Sequence, residues 1–223
     1  MILDGAVTLI EREGPGALSM RRLGATLGVE AMAIYHHFGS RDELLTAIAD
    51  RLLSPLHELE CSDDWRDVCR AFATALRDIA VARPATFQLL GLQPFDTPVS
   101  LEPVERLLGV LVAHGFGAAE ALAIYRATVS YARGYALAEA TGFTVDATRP
   151  DGRRRLACLS PGEFPILGGR ARELAALDAD AAYDLGLRAL LRGLADPDGV
   201  VHKGSKRAGK RGHTDARSSE PPG

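Results

Sequence analysis

The stretch that decides the fold is residues 16–53, GALSMRRLGATLGVEAMAIYHHFGSRDELLTAIADRLL. Ser19 stands before Met20, Arg21, Arg22 and Leu23 as an N-cap, because its hydroxyl can accept from a free amide of the first turn. A short helix then runs toward Leu27. Gly28 supplies a tight turn, and Val29 opens a second short helix carrying Met32, Ala33, Ile34, Tyr35 and His36. Phe38 and Gly39 close it. Ser40, with Glu43 three residues on, makes a capping box for a helix that presents Leu44, Leu45, Ile48 and Leu52 and stops near Ser54 and Pro55.

Working outward, Ile2 to Glu13 places Leu3, Ala6, Val7 and Ile10 on one helical face, and Gly14-Pro15-Gly16 ends that helix. Beyond Pro55 the chain is rich in alanine and leucine, both strong helix formers, and strand alternation is hard to find. Longer helices are expected at 64–82, 84–92, 100–114, 118–140 and 171–195. Pro84, the Pro94–Pro98 stretch, the turn at His114–Gly117 and an irregular segment from 141 to 169 separate them. The expected fold class is all-α, with a three-helix N-terminal domain at 1–46 that contains the helix-turn-helix, a second helical domain at 47–196, and a disordered basic tail at 197–223.

The 223 residues are 47% hydrophobic and 25% charged, which excludes a wholly disordered or collagen-like chain. Arg106, Glu120, Arg126 and Arg188 interrupt every long apolar run, and the N-terminus lacks a secretory pattern, so no membrane partner and a cytoplasmic location are expected. Cys61, Cys69 and Cys158 form no close pair and read as reduced thiols. No GxSxG, HExxH, P-loop or dinucleotide fingerprint is present, and the chain is not expected to be an enzyme. A helical enzyme using His114 beside tyrosines, or a helical protein-interaction module, stand as the alternatives. No metal and no cofactor are expected; His36 and His37, adjacent on a helix, point apart.

Two braced short helices let one cross a phosphate backbone while the other enters a major groove. Ala25, Leu27, Val29 and Ile34 are expected to form the apolar inner angle, leaving Met32, Ala33, Tyr35, His36 and His37 outward. Met32 or Ala33 can meet a thymine methyl, and Tyr35 or His36 can donate to phosphate. The bland alternative for Tyr35 is a partly buried core aromatic. Charge supports this reading only in part: the formal net charge is −3, and residues 1–54 hold five arginines against seven acids. Arg21, Arg22 and Arg41 would have to gather on the binding face while the acids lie elsewhere.

Residues 16–53 resemble the DNA-binding domain of the TetR family of transcriptional regulators, most diagnostically in Ser19-Met20-Arg21, the LGV turn at 27–29 and IYHHFGSRDELL at 34–45. Trp65, the segment AHGFGAAEALAIYRATVSYARGYALAEA, and FPILGG followed by AAYDLGLRALLRGL are similar to the ligand-binding and dimerisation domain of the tetracycline-repressor branch. The resemblance implies a homodimeric repressor on a palindromic double-stranded DNA operator, with 29–36 as recognition helix and Tyr35, His36 and Arg41 near phosphate. Two departures stand out. The chain begins almost at its first helix, without the basic arm of many relatives, and Leu89 stands where the tetracycline repressor carries a magnesium-binding histidine, which argues against a magnesium–tetracycline effector.

In the second domain, Leu122, Tyr125, Val129, Ala132 and Ala136 make one stripe. Leu174, Leu177, Ala181, Leu185, Leu187, Leu190, Leu191 and Leu194 make another. Leu122, Val129, Ala132, Ala136, Leu177, Ala181, Leu185, Leu187, Leu191 and Leu194 are the expected dimer contacts. Phe87, Leu90, Phe95, Leu108, His114, Phe116, Tyr125, Tyr131 and Tyr135 are the expected lining of a mostly apolar pocket for a small-molecule effector, with ordinary packing as the alternative for each. Lys203, Lys206, Arg207, Lys210 and Arg211 either add nonspecific attraction to phosphate or merely solubilise the tail.

Overall fold

The computed structural model describes residues 1–60, 62–90, 97–143 and 145–194. Phe95, Cys61 and the tail lie outside them, as does the side chain of Leu90. The regular elements among the described residues are all helical, without strands: α1 (Ile2–Glu13), α2 (Met20–Leu27), α3 (Ala31–Tyr35), α4 (Arg41–Leu53), α5 (Trp65–Ala82), α6 (Pro84–Leu90), α7 (Pro98–Ala113), α8 (Ala118–Thr141), α9 (Pro150–Ala157), α10 (Ala171–Leu174) and α11 (Ala179–Leu194). Short 3₁₀ turns at Pro15–Ala17 and Ser54–Glu58 join α1 to α2 and α4 to α5.

Three boundaries differ from the sequence reading, each for a local reason. The irregular segment contains α9, which has proline at its first position. The run read as one helix from 171 is broken after α10, because the Asp178 carboxylate accepts from the Ala181 amide at 2.7 Å and starts α11 afresh. The helix read from 100 begins at Pro98, where the Thr97 hydroxyl oxygen accepts from the Ser100 amide.

Two groups of buried side chains hold the chain together. The first gathers α1 to α4 around Leu9, Ile10, Leu23, Ile34, Leu44 and Ile48. On α1 it uses Ala6, Leu9 and Ile10; Leu3 and Val7, expected on the buried face, are only partly covered. The second surrounds α5, which packs along α8 and also meets α7 and α11. Trp65, Cys69, Phe72, Leu76, Ile79 and Ala80 of α5 line this second core.

The two cores meet at defined contacts. Leu52 of α4 packs against both. Glu11 of α1 accepts from the Thr86 amide at 2.8 Å and the Ala85 amide at 3.3 Å, so a carboxylate of the first core satisfies amides that the start of α6 leaves without helical partners. Asp50 of α4 accepts from the Thr97 hydroxyl at 2.5 Å, tying the same core to the start of α7. Between the cores runs an open groove of about 710 Å³ whose lining includes Val7, Glu11, Ile48, Arg51, Ile79 and Arg83.

Candidate nucleic-acid interface

The geometry of residues 19–40 follows from caps and one close approach. Ser19 Oγ accepts from the Arg22 amide at 3.2 Å and starts α2. Gly28 ends it with φ +70°, a left-handed conformation that glycine adopts without a Cβ clash. A Cβ on Gly24 would lie 2.7 Å from the Val29 carbonyl oxygen, so only glycine lets the turn fold this tightly back on α2. Ser40 Oγ accepts from the Glu43 amide at 3.1 Å and caps α4, while the Glu43 carboxylate accepts from the Gly39 amide at 2.8 Å, one residue before the N-cap Ser40 whose amide the expected capping box would use.

Within α3 a single side chain, Ile34, is buried. The outward face carries Met32, 61% exposed, and Tyr35, 43% exposed, with Ala33, His36 and His37 also in solvent. Tyr35 is therefore not a core aromatic. Arg21 and Arg41 are exposed as well, and Arg41 is steadied by donating from Nε to the Leu18 carbonyl at 3.3 Å. Arg22 is occupied by an ion pair with Glu13.

The expected inner angle needs correction. Ile34 fills it, but Ala25 and Val29 are exposed and Leu27 is partly buried. Met20, Leu23 and Leu18 take that space, while Leu27 turns toward Gly5 of α1. The tight turn at Gly24 and Gly28 swings positions 25 and 29 outward, which helical spacing alone does not show.

Charge accounting explains how an acidic domain can present a surface to phosphates. Asp4 pairs with Arg51 at 2.6 Å and Glu13 with Arg12 and Arg22. Glu11 serves α6, Glu43 the start of α4, and Asp50 Thr97. Five of the seven acids in residues 1–54 are thus committed to holding structure together. Asp42 lies in the first turn of α4, and Glu30 is exposed just before α3.

The residues expected to line an effector pocket divide. Phe87 is buried, and Leu108, Phe116, Tyr125, Tyr131 and Tyr135 pack partly buried on the same second core. Phe116 meets Trp65 edge-on at 5.1 Å, and Tyr125 meets Phe72 at 6.0 Å. His114 does not join them. It is exposed at the end of α7, with Nδ1 2.7 Å from the Val110 carbonyl oxygen and Nε2 2.6 Å from that of Asp63. These two carbonyls, with Asp64 and Asp63 nearby, raise its pKa above the ordinary histidine value. With Phe116 it borders a surface groove of about 350 Å³ beside Asp63, Asp64, Trp65 and Arg66.

A buried ionic centre escaped the sequence reading. Arg77 of α5 donates to Glu139 of α8 from Nε at 2.7 Å and from a terminal nitrogen at 2.6 Å, and pairs with Asp180 of α11 at 2.8 Å. Its guanidinium lies 4.6 Å over the Tyr183 ring, and Tyr131 donates to the Tyr183 carbonyl at 2.8 Å. Arg77 falls on the same helical line as Ala73 and Ala80, both buried, and that is the signal by which it could have been found. Cys69 is buried on the same helix, its thiol pushed up to about 11 by burial, whereas Cys158 is exposed.

Four expected dimer contacts are corrected. Ala132 and Ala136 continue the buried line of α8 through Ala121, Ile124 and Thr128, and Leu187 and Leu191 follow Tyr183 on α11; all four fill the subunit's own core. Leu122, Leu177 and Leu185 are 45%, 50% and 65% exposed, Ala181 is exposed, and Val129 and Leu194 are partly covered. Leu89 packs against the first core. Among the described residues no group of histidine, cysteine and acidic side chains is arranged to hold a metal, and no helix is long and apolar enough to cross a membrane.

Residues 2–48 match the family described as bacterial regulatory proteins, tetR family, and residues 59–197 match the tetracyclin repressor-like C-terminal domain. An HTH-type transcriptional regulator of Saccharopolyspora erythraea is 30% identical over 208 residues, spanning 89% of this chain and 85% of that one. The crystal structure of a possible TetR family transcriptional regulator from Streptomyces coelicolor A3(2) superposes with a TM-score of 0.73 at 27% identity, over 86% of this chain and 96% of that one. ActR from Streptomyces coelicolor, solved in complex with actinorhodin, superposes with a TM-score of 0.66 at 26% identity, over 86% of this chain and 94% of that one. With an exposed reading face on a braced helix pair and both halves matched, the chain belongs to the TetR family of transcriptional regulators, DNA-binding proteins that are not enzymes.

Proposed function

We propose that the protein is a homodimeric repressor that holds a palindromic operator and releases it on binding a small, mostly apolar effector. The observation that carries this reading is α3 itself: Ile34 anchors it while Met32, Ala33 and Tyr35 face solvent together. Met32 and Ala33 would meet base edges, and Tyr35, His36, Arg21 and Arg41 would hold phosphates. Two copies would pair through the exposed side of α8 and α11, at Leu122, Leu177, Ala181 and Leu185, with Val129 and Leu194 at its margin. The effector would enter among Phe87, Leu108, Phe116, Tyr125, Tyr131 and Tyr135. ActR's complex with actinorhodin supports the effector part of this reading, since a structural neighbour of this chain binds a ligand.

This mechanism runs through α4, which belongs to the first core as far as Ile48 and Ala49 and hands Leu52 and Leu53 to the second. An effector that favours one setting of α4 and α6 over another would change the spacing of the paired α3 helices and lower operator affinity. Selection of bound genomic fragments, with sedimentation of the complex, tests the proposal. The expected result is two chains on an inverted repeat, with binding lost in a Met32→Ala, Tyr35→Ala double variant. A monomer without preference among duplexes would overturn it.

A further inference from the structure

Resting on the proposed operator reading, we infer that Glu30 reads the operator by accepting a hydrogen bond from the exocyclic amine of a cytosine in each half-site. Asp4, Glu11, Glu13, Glu43 and Asp50 each serve a partner inside the protein, and Asp42 sits in the first turn of α4. Glu30 occupies the N-cap position of α3 and is exposed, and while its backbone carbonyl accepts from the Ala33 amide, its carboxylate has no partner among the described residues. Its side chain does not cap the helix, so it does no visible structural service there.

The N-terminal residues of a recognition helix are those that reach base edges. From Val29 to His37 this chain offers no arginine, lysine, asparagine or glutamine. Tyr35, His36 and His37 lie toward the end of the segment, so at its start Glu30 is the only side chain able to hydrogen-bond a base. Its neighbour one turn on is Ala33, whose methyl group leaves the carboxylate unobstructed. An acid beside phosphates is unfavourable unless something there donates to it.

A carboxylate accepts only. In the major groove guanine shows two acceptors and thymine one, and adenine sets its amine beside the N7 acceptor. Cytosine alone presents a donor with no acceptor on its own edge. The chemistry therefore selects a C·G pair, and it also gives Glu30 a role in rejecting guanine at that point.

The test is selection of bound duplexes from a randomised library by the full-length wild type, Glu30→Ala and Glu30→Gln. The wild type should select a cytosine at one position of each half-site. Glu30→Ala should reduce that preference by roughly 5- to 150-fold and leave the rest of the palindrome unchanged. Glu30→Gln should move the preference toward adenine, whose N6 and N7 match an amide. If Glu30→Ala lowered the thermal midpoint, the Glu30→Gln change of preference would decide. Selection of the same cytosine, undiminished, by both variants would overturn the inference while leaving the operator reading intact. Failure of the wild type to select any sequence would overturn both.

Discussion

Replacing Glu139 by alanine should be among the most damaging single changes outside the reading head. It would leave Arg77 buried on α5 without the two charge-assisted hydrogen bonds, at 2.6 and 2.7 Å, that now satisfy it. Both partners are largely withdrawn from water, with side-chain exposures of 10% for Arg77 and 17% for Glu139. Breaking a buried pair on one side costs roughly 3–5 kcal/mol, because the remaining charge stays desolvated. Asp180 and the Tyr183 ring still face the guanidinium, so the lower end applies, about 3 kcal/mol. For a chain of this size that corresponds to a fall in Tm of roughly 6–12 °C. Asp180 is 84% exposed, so Asp180→Ala should cost less than about 1 kcal/mol. Urea and thermal unfolding at one fixed protein concentration measure both, since a dimer's midpoint moves with concentration. A loss below about 1 kcal/mol for Glu139→Ala, or equal losses for the two variants, would refute the reasoning.

Gly24→Ala should cost about 1–3 kcal/mol in urea unfolding, because the new methyl meets the Val29 carbonyl at 2.7 Å, and it should weaken operator binding further by re-aiming α3. Unaltered stability and binding would show that the turn has room. Ser40→Ala should cost about 1 kcal/mol by the same assay, as the α4 head loses its acceptor for the Glu43 amide. His114 carries a pH signature whose sign follows from its two carbonyl partners. With the folded pKa raised above the unfolded value, its contribution is complete below about pH 6.5 and fades as pH rises through the folded value. An NMR titration of its ring should place the midpoint above 6.5, and His114→Phe should flatten the stability profile across neutral pH; a midpoint at or below 6.5 would contradict the double hydrogen bond.

What could be read in the chain was what is local. Ser19, Gly28 and Ser40 act on amides within three residues or on their own backbone angle, so caps, turn and reading face follow from letters in a row. The stripes on α8 and α11 were harder. A helix that packs inward on one side and leaves apolar residues outward on the other looks broadly hydrophobic, and spacing does not say which line is which. Leu122 and Val129 were thus grouped with Ala132 and Ala136, although the buried line passes through Ala121, Ile124 and Thr128. Arg77 and Glu139 are 62 residues apart, and Glu11 meets Thr86 across 75. Such pairs exist only once the helices have docked. The break before α11 does not show in the sequence because an alanine-rich run favours helix at each position, and one acceptor, the Asp178 carboxylate, suffices to reset it.

The five-residue α3 has no durability of its own, being pinned by Ile34 to a core of twelve buried residues, against nineteen in the other core among the described residues. The smaller core is the weaker one, so warming or denaturant should dissolve the first four helices ahead of the rest. For the proposed repressor this sets the direction of failure. A stressed molecule lets go of its genes while the sensing half is still whole, and the default under damage is expression rather than silence.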